Sequence, residues 1–346
     1  MKIKIFSTIC VLSFSVFLLS TLTGWMNKPA PPDTNQAIQQ SVTKSLLLLQ
    51  KSGYTFIMNA PHNCASCHHN TLTAMTAEIA TQKGIPVVDS FSVYGATAMK
   101  FTLAGICNPN MTDQFVAANF IGPYELLGLY AAKYPADFNT DISVDYLISQ
   151  AKSDGSFIGE SPRTPLETGD IHLTAMAIRA IQLYASAAKK QHVNELVTRT
   201  RQWLEKQNPS MQQELVFQLL GMQWCGSDEA HKTKVADQLI ARQNKDGGWS
   251  QLPTLKSDAY ATGQALYSLY ESGMVKPEHK VYEKGSDYLL KTQDTSGAWI
   301  VTTRSFPIQP FVDGEFPPYN YNQFISATAT NWATMALLKA LPDKLK

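Results

Sequence analysis

The chain is short of charge. Of its 346 residues, 29 are basic and 28 acidic, 16% in all, and the formal net charge is +1. That is below the usual quarter. A balance so near zero excludes bulk attraction to nucleic acid or to an anionic membrane. Cysteine is scarce at five, which excludes a small domain built on disulfides. No stretch alternates apolar and polar residues long enough to demand a strand. Lys245-Asp-Gly-Gly248 and Asp294-Thr-Ser-Gly297 have the pattern of turns and not of phosphate loops.

One apolar run stands at the start. Residues 5–22 follow Lys2 and Lys4 and are broken only by Ser and Thr. This reads as a secretory signal peptide. Ser20-Thr21-Leu22-Thr23-Gly24 lacks a clean Ala-x-Ala, so an uncleaved anchor is the alternative. Residues 1–24 are therefore signal or anchor, 25–35 a linker with Pro29, Pro31 and Pro32, and 36–346 the folded domain. The expected location is the periplasm or another exported compartment. The membrane is met only through the anchor. Cys10 lies inside the apolar run, while Cys107 and Cys225 either bridge or stay as buried free thiols.

From the linker onward the periodicity is helical. Breaks fall at Gly84, Pro109, Pro123, Pro135, Gly155, Pro209, Pro277 and Gly297. A repeat emerges: a helix ending in Gln, a Gly-aromatic turn, then a helix of small residues. The clearest copy is Gln243-Asn-Lys-Asp-Gly-Gly-Trp249, followed by Thr262-Gly-Gln-Ala-Leu266. Gln293 leads to Gly297 and Trp299, Gln150 to Gly155 and Phe157, and Gln50 to Gly53 and Phe56. Gln207 leads to Asn208-Pro209, without the turn. Small residues permit close approach, so these helices belong inside and the larger Tyr/Trp/Leu helices outside. Such repeats must stack on neighbours. The expected fold is all-α: a single α/α toroid of about six helix pairs.

The Gln-x-x-x-Gly-x-Trp element resembles the repeat of squalene-hopene cyclases and prenyltransferase β-subunits, over roughly residues 36–341. The resemblance implies a toroid of the terpenoid cyclase/prenyltransferase type, with Trp249, Trp299 and Phe157 structural. It implies less about activity. Those cyclases start from an acid in an Asp-x-Asp-Asp cluster, and no such cluster occurs here. Ser257-Asp258-Ala-Tyr260 keeps one Asp. Prenyltransferases hold zinc with Asp, Cys and His, and Asp170-Ile-His172 has His where that family has Cys.

The strongest chemical signal is Cys64-Ala-Ser-Cys67-His68. Its spacing is that of covalent c-type haem attachment. Two thiols would bond the vinyl groups and His68 would ligate iron. The run Cys-x-Ser-Cys-His-His also resembles that of exported bacterial toroid proteins with a cytochrome-c-like signature. Zinc held by Cys64, Cys67 and His68 or His69 is an alternative, as is a disulfide or a pair of free thiols.

Aligning Thr73, Thr174 and Thr262 brings His69, Asp170 and Asp258 to one position. It brings Thr71, His172, Tyr260 and Asn331 to another. All would ring one mouth of the toroid as a pocket. Asp170 and Asp258 equally suit helix N-caps. His172 is the candidate second iron ligand, in competition with His62 and Met58. Residues 305–324 are long, aromatic and rich in proline, as an ordered lid would be, or a loop packed outside.

Three readings follow. The first is an exported toroid carrying haem, with redox or electron-transfer work on a small or lipid-like ligand and an electron-transfer partner. The second is a divergent terpenoid-cyclase-like enzyme using Asp170 or Asp258. The third is a non-catalytic binding module with zinc or a disulfide at the cysteines.

Overall fold

Helices alternate between an outer and an inner layer, as the large/small alternation requires. The computed structural model describes residues 34–106, 118–159, 163–305 and 312–343. The outer helices are α1 (Thr34–Asn59), α3 (Asp89–Ile106), α5 (Phe138–Gln150), α7 (Lys190–Lys206), α9 (Glu229–Ala241) and α11 (Lys280–Thr292). The inner helices are α2 (Leu72–Gln82), α4 (Ala118–Ala131), α6 (Asp170–Tyr184), α8 (Gln212–Cys225), α10 (Ala259–Glu271) and α12 (Gln323–Ala340). Each inner helix packs on the next, and α12 packs back on α2, so the ring closes. This is the expected α/α toroid with six helix pairs among the described residues. No strand occurs among them, only two isolated bridges. No described helix is long and apolar enough to cross a membrane. The signal or anchor segment, most of the linker, Cys107 and Pro109 lie outside the described residues.

Small residues set the inner radius. Ala327, Ala329, Ala333 and Ala336 of α12 are fully buried, as are Ala175, Ala177 and Ala180 of α6. At Gly263 of α10 an added Cβ would come within 2.5 Å of the Ala333 backbone nitrogen. The outer helices bury only one stripe, as α7 does with Val193, Leu196, Thr200 and Leu204.

The repeat's conserved geometry is a hydrogen-bonded tie. Gly155, Gly247 and Gly297 sit at φ of +84°, +91° and +96°, where a side chain is strained. Gln243 Nε2 donates to the Gly247 carbonyl at 2.9 Å and to that of Val281 at 2.8 Å. Gln293 does the same to Gly297 (3.0 Å) and Ser41 (3.1 Å). The turn's aromatic residue then donates its backbone N–H to a threonine of the inner helix. The pairs are Phe157 to Thr174, Trp249 to Thr262 and Trp299 to Thr330. The indoles of Trp249 and Trp299 donate to the carbonyls of Leu239 and Leu289. Each tie joins outer helix, turn and inner helix.

Three sequence expectations are corrected. The first copy has no turn, because α1 runs through Gly53 and Phe56. Gln50 instead pairs with the backbone of Val88 in both directions, at 3.0 and 3.1 Å. Gly53 is small for another reason: a Cβ there would meet the His69 carbonyl at 2.6 Å. Pro123 does not end a helix but stands inside α4, where the i−4 carbonyl of Asn119 loses its usual N–H partner. Thr330, not Ala333, is the counterpart of Thr262. Asn331 therefore does not share a position with His172 and Tyr260; Thr328 does. Asn331 lies more than two turns into α12, because that helix begins at Gln323.

The tie carries measurable stability. Trp249→Ala should cost about 3–5 kcal/mol, and Gln243→Ala about 1–3 kcal/mol by stranding two carbonyls. Chemical denaturation would measure both. A Trp249→Ala variant as stable as the parent would show that the turn does not anchor the ring.

Candidate active site

Because outer and inner helices alternate, all six inner helices run in one direction and their N-termini meet at one mouth. Their unpaired N–H groups favour carboxylates there. The cysteine motif opens α2 at this mouth. Ser66 caps a π-helical turn, Cys67–Thr71, by accepting from the N–H groups of His68 (3.1 Å) and His69 (3.3 Å). Asn70 Oδ1 accepts in return from the Ser66 N–H at 2.9 Å. The Ser of Cys-x-Ser-Cys is thus a cap, and the cap turns both histidines inward.

His68 is buried with Nε2 at 3.1 Å from Glu167 Oε1, an oxygen that also accepts from Arg163 at 3.4 Å. Its backbone carbonyl accepts from Asn331 Nδ2 at 3.2 Å, and Thr76 donates to Asn331 Oδ1 at 2.7 Å. His69 stacks on Phe56, ring centroids 5.1 Å apart, with Phe324 and Phe316 edge-on. Burial and the neighbouring His68 lower its pKa to about 3. His68 Nδ1, His69 Nε2 and Glu167 Oε2 are buried without a protein partner.

The thiols of Cys64 and Cys67 are unbridged. Burial and Glu125 push the Cys64 thiol up. Burial, Glu167 and Glu125 push that of Cys67 up much further. Both are therefore neutral thiols at neutral pH. Glu125, in the second turn of α4, is fully buried with both oxygens unpartnered. Burial raises its carboxyl to about 8, opposed by the Thr71 hydroxyl. Glu125 and Glu167 were not singled out from sequence. An acid on the otherwise apolar Phe120-Ile-Gly-Pro-Tyr-Glu-Leu-Leu127 was the available signal for Glu125. Glu167 lies in a loop with no periodicity to betray it.

His172 and Tyr260 belong to an adjoining network. The Tyr124 hydroxyl lies 3.2 Å from His172 Nε2, and Gln213 Nε2 donates to His172 Nδ1 at 3.0 Å. Tyr260 donates to Gln213 Oε1 at 2.5 Å. Burial takes His172 down to about 3, so it is a neutral ring with both nitrogens engaged. It is stacked on Phe217 at 3.9 Å. Asp258 caps α10 through the Ala261 N–H (2.9 Å) and accepts from Gln251 (3.0 Å). Asp170 accepts from the Gly159 N–H at 2.8 Å. Both aspartates serve backbone. His62 and Met58 are exposed. The structure thus gathers Cys64, Cys67, His68, His69 and Asn331 with Glu125 and Glu167. It holds His172, Tyr260, Asp170 and Asp258 apart from them.

Rings fill the axis. Phe324, His68, Tyr124, His172, Phe217, Trp332 and Tyr267 follow one another at centroid spacings of 3.9–6.3 Å. The described parts of the segment between α11 and α12 are tied to the rim at two places. On one side Arg304 Nε donates to Gln251 and Ser305 Oγ to the Thr164 carbonyl. On the other, Asn59 and Ser52 donate to the carbonyls of Asp313 and Gly314. Gly314 lies so close to His69 that a Cβ would sit 2.9 Å from its ring. Phe306, Pro307 and Phe311 fall outside the described residues. Among the described residues no cluster of three or more His, Cys, Asp or Glu is arranged around a metal position. The reason is visible: His68 faces Glu167, His69 faces Phe56 and His172 is locked between Tyr124 and Gln213.

No known family model matches the chain. A squalene–hopene cyclase from Bradyrhizobium diazoefficiens is 33% identical over 91 residues, which is 23% of this chain and 14% of that enzyme. The type II terpene cyclase MstE from Scytonema, unliganded, superposes with a TM-score of 0.59 at 10% identity, covering 90% of this chain and 99% of that one. A variant of MstE in complex with geranylgeranyl dihydroxybenzoate gives 0.60 at 12%, covering 89% and 98%. A protein from Actinoplanes gives 0.56 at 14%, covering 89% and 99%. At such identities the likeness is one of fold, and the fold is the α/α toroid of terpene cyclases.

Proposed function

We propose that this chain is a terpenoid-cyclase-like enzyme that isomerises or cyclises a lipid-like, unsaturated substrate by proton transfer at the capped mouth. One observation carries the reading. Two buried carboxyls both act electrostatically on Cys67, one of them kept protonated by burial and the other paired with Arg163 and His68. Opposed environments of this kind separate an acid from a base. The solved MstE complex holds a geranylgeranyl compound on the same fold, which supports a substrate of that class.

In this reading Glu125 donates its proton to a carbon–carbon double bond, whose π electrons form the new C–H bond. A carbocation remains. A carboxyl near 8 is a weak donor, so the cation needs the faces of neighbouring rings such as Tyr124 and Phe324. Loss of a proton from the adjacent carbon to the Glu167–His68 pair restores an alkene. The product is an isomer of the substrate, and the proton returns to Glu125. Glu125 replaces the acid of an Asp-x-Asp-Asp cluster, while Asp258 caps α10 and Asp170 holds the Gly159 N–H.

A second reading rests on a different observation. Cys64 and Cys67 are unbridged thiols directly before His68, with Cys64 half-buried. That is the donor set for covalent haem in an exported protein. His68 would have to exchange Glu167 for iron at Nε2. A pyridine haemochrome spectrum of protein exported alongside haem-attachment machinery separates the readings. A covalent c-type band lost in Cys64→Ala/Cys67→Ala establishes haem, and a colourless protein removes it.

Turnover is tested with geranylgeranyl benzoates and squalene, reading mass-neutral products. Glu125→Gln should lower the rate by about 10²–10⁴-fold. A folded parent with no isomeric product from any such substrate would sink the cyclase reading.

The same residue sets a pH dependence. Its folded pKa is raised, so the native state binds an extra proton between the ordinary carboxyl range and about 8. Stability is therefore fully present at low pH and is lost as pH rises through that window. The loss is on the order of 5 kcal/mol. Glu125→Gln should flatten the fall in denaturation midpoint between about pH 5 and 8, and an unchanged slope would refute the buried neutral acid.

A further inference from the structure

Tyr260, Gln213, His172 and Tyr124, all buried, form a chain of hydrogen bonds that runs one way. Gln213 sets the direction. Its Nε2 donates to the Pro165 carbonyl at 2.7 Å, a group that only accepts, so the amide cannot be turned round. Oε1 therefore faces Tyr260, whose hydroxyl donates to it at 2.5 Å. The second amide hydrogen goes to His172 Nδ1 at 3.0 Å. The Thr168 carbonyl also lies near that ring. Were Nδ1 to give a hydrogen to it, two N–H donors would face each other across 3.0 Å. This network assigns the hydrogen of the neutral His172 ring to Nε2, which gives it to the Tyr124 oxygen at 3.2 Å. Tyr124 keeps its own hydroxyl hydrogen, and no acceptor for it stands among the described residues. Burial first, then Tyr260, Cys67 and Glu167, hold that hydroxyl protonated. The Tyr124 ring lies 6.3 Å from that of His68, whose Nε2 meets Glu167 Oε1 at 3.1 Å. Glu167 Oε2 is buried without a partner. An unspent donor and an unspent acceptor thus share one region, yet no bond joins them. Buried groups left this way call for an occupant between them.

We propose that the occupant is the carbonyl end of an unsaturated ketone, with its oxygen on the Tyr124 hydroxyl and its α carbon toward Glu167. This names a substrate class for the site described above, and it rests on the isomerase reading only in taking Glu167 as the proton acceptor. A carbonyl oxygen accepts and has no hydrogen to give, which suits a lone donor. The donor is a strong one, because each hydrogen bond in a one-way chain polarises the next. In a ketone whose double bond lies one carbon beyond the α position, Glu167 Oε2 takes a proton from the α carbon. The C–H electron pair becomes a carbon–carbon double bond, and the carbonyl π pair moves onto oxygen. Tyr124 O–H stabilises the charge that develops there. Return of the proton from Glu167 to the far alkene carbon moves the double bond into conjugation. The product is an isomer of the substrate, and no oxidant or co-reactant enters. His172, Gln213 and Tyr260 are positioning residues: they touch no substrate but decide where the Tyr124 hydrogen points.

Two measurements on the full chain test this. Nitrogen-15 NMR reads the His172 tautomer, its signals being those lost in His172→Phe. The Nε2–H form is expected. An Nδ1–H form would overturn the proposal, because Tyr124 would then spend its hydrogen on His172. Cyclohex-3-enone is the turnover probe, followed by the absorbance of conjugated cyclohex-2-enone over the rate in buffer. Tyr124→Phe should lower kcat by about 10²–10³-fold and move KM much less. Gln213→Leu should lower kcat by a smaller factor and shift His172 toward the other tautomer, a readout that a loss of packing alone would not move. A parent that does not speed the enone, or a rate that survives Tyr124→Phe, would overturn the proposal and leave water as the occupant. Alkene turnover without enone turnover overturns it and spares the reading above. Enone turnover without alkene turnover supports it and sinks the carbocation chemistry.

Discussion

Three of the six inner helices, α6, α10 and α12, are set by one repeated hydrogen bond. The aromatic residue of each Gly turn gives its N–H to a threonine on the following inner helix, at Thr174, Thr262 and Thr330. That bond fixes how far α6, α10 and α12 start below the rim and so which of their side chains share a level. The Gln amides then hold the turn to the neighbouring outer helix. Closure of the ring follows from Ala and Gly on the inner faces, because no larger residue fits where α10 meets α12.

Burial governs the chemistry that results. Inside the ring, burial disfavours the charged form of a titratable group. Glu125 keeps its proton, His69 and His172 lose theirs, and the thiols of Cys64 and Cys67 stay neutral. Glu167 differs in having partners, Arg163 and His68, on one of its oxygens. In the proposed reading Glu125 and Glu167 act as acid and acceptor beside the aromatic rings. Arg304 and Ser305 are tied to Gln251 and Thr164, and Asp313 and Gly314 to Asn59 and Ser52.

Much of the architecture was legible in the sequence. Gln243 to Trp249 and Gln293 to Trp299 are local motifs, and local motifs survive translation into local geometry. Small and large residues in alternate helices announce an inner and an outer ring by volume alone. The Cys-x-x-Cys-His was legible as a donor set. The role of its Ser66, a cap answered by Asn70, came only with the structure. The failures are equally specific. Gly53 looked like a turn glycine because it followed a Gln, yet it is a helical residue kept small by the His69 carbonyl. Asn331 was placed by an alignment that could not see how early α12 begins.

Sequence by itself determined the helices, their layering and the closed ring, since those follow from periodicity and side-chain volume. It also determined that two thiols and two histidines open α2. Tertiary structure alone decided that Glu125 and Glu167, forty-two residues apart on different elements, both come near enough to raise the Cys67 thiol, and that His172 turns to Tyr124 and Gln213 instead. It decided proton states as well. Those depend on how completely neighbours exclude water, a quantity no single segment carries.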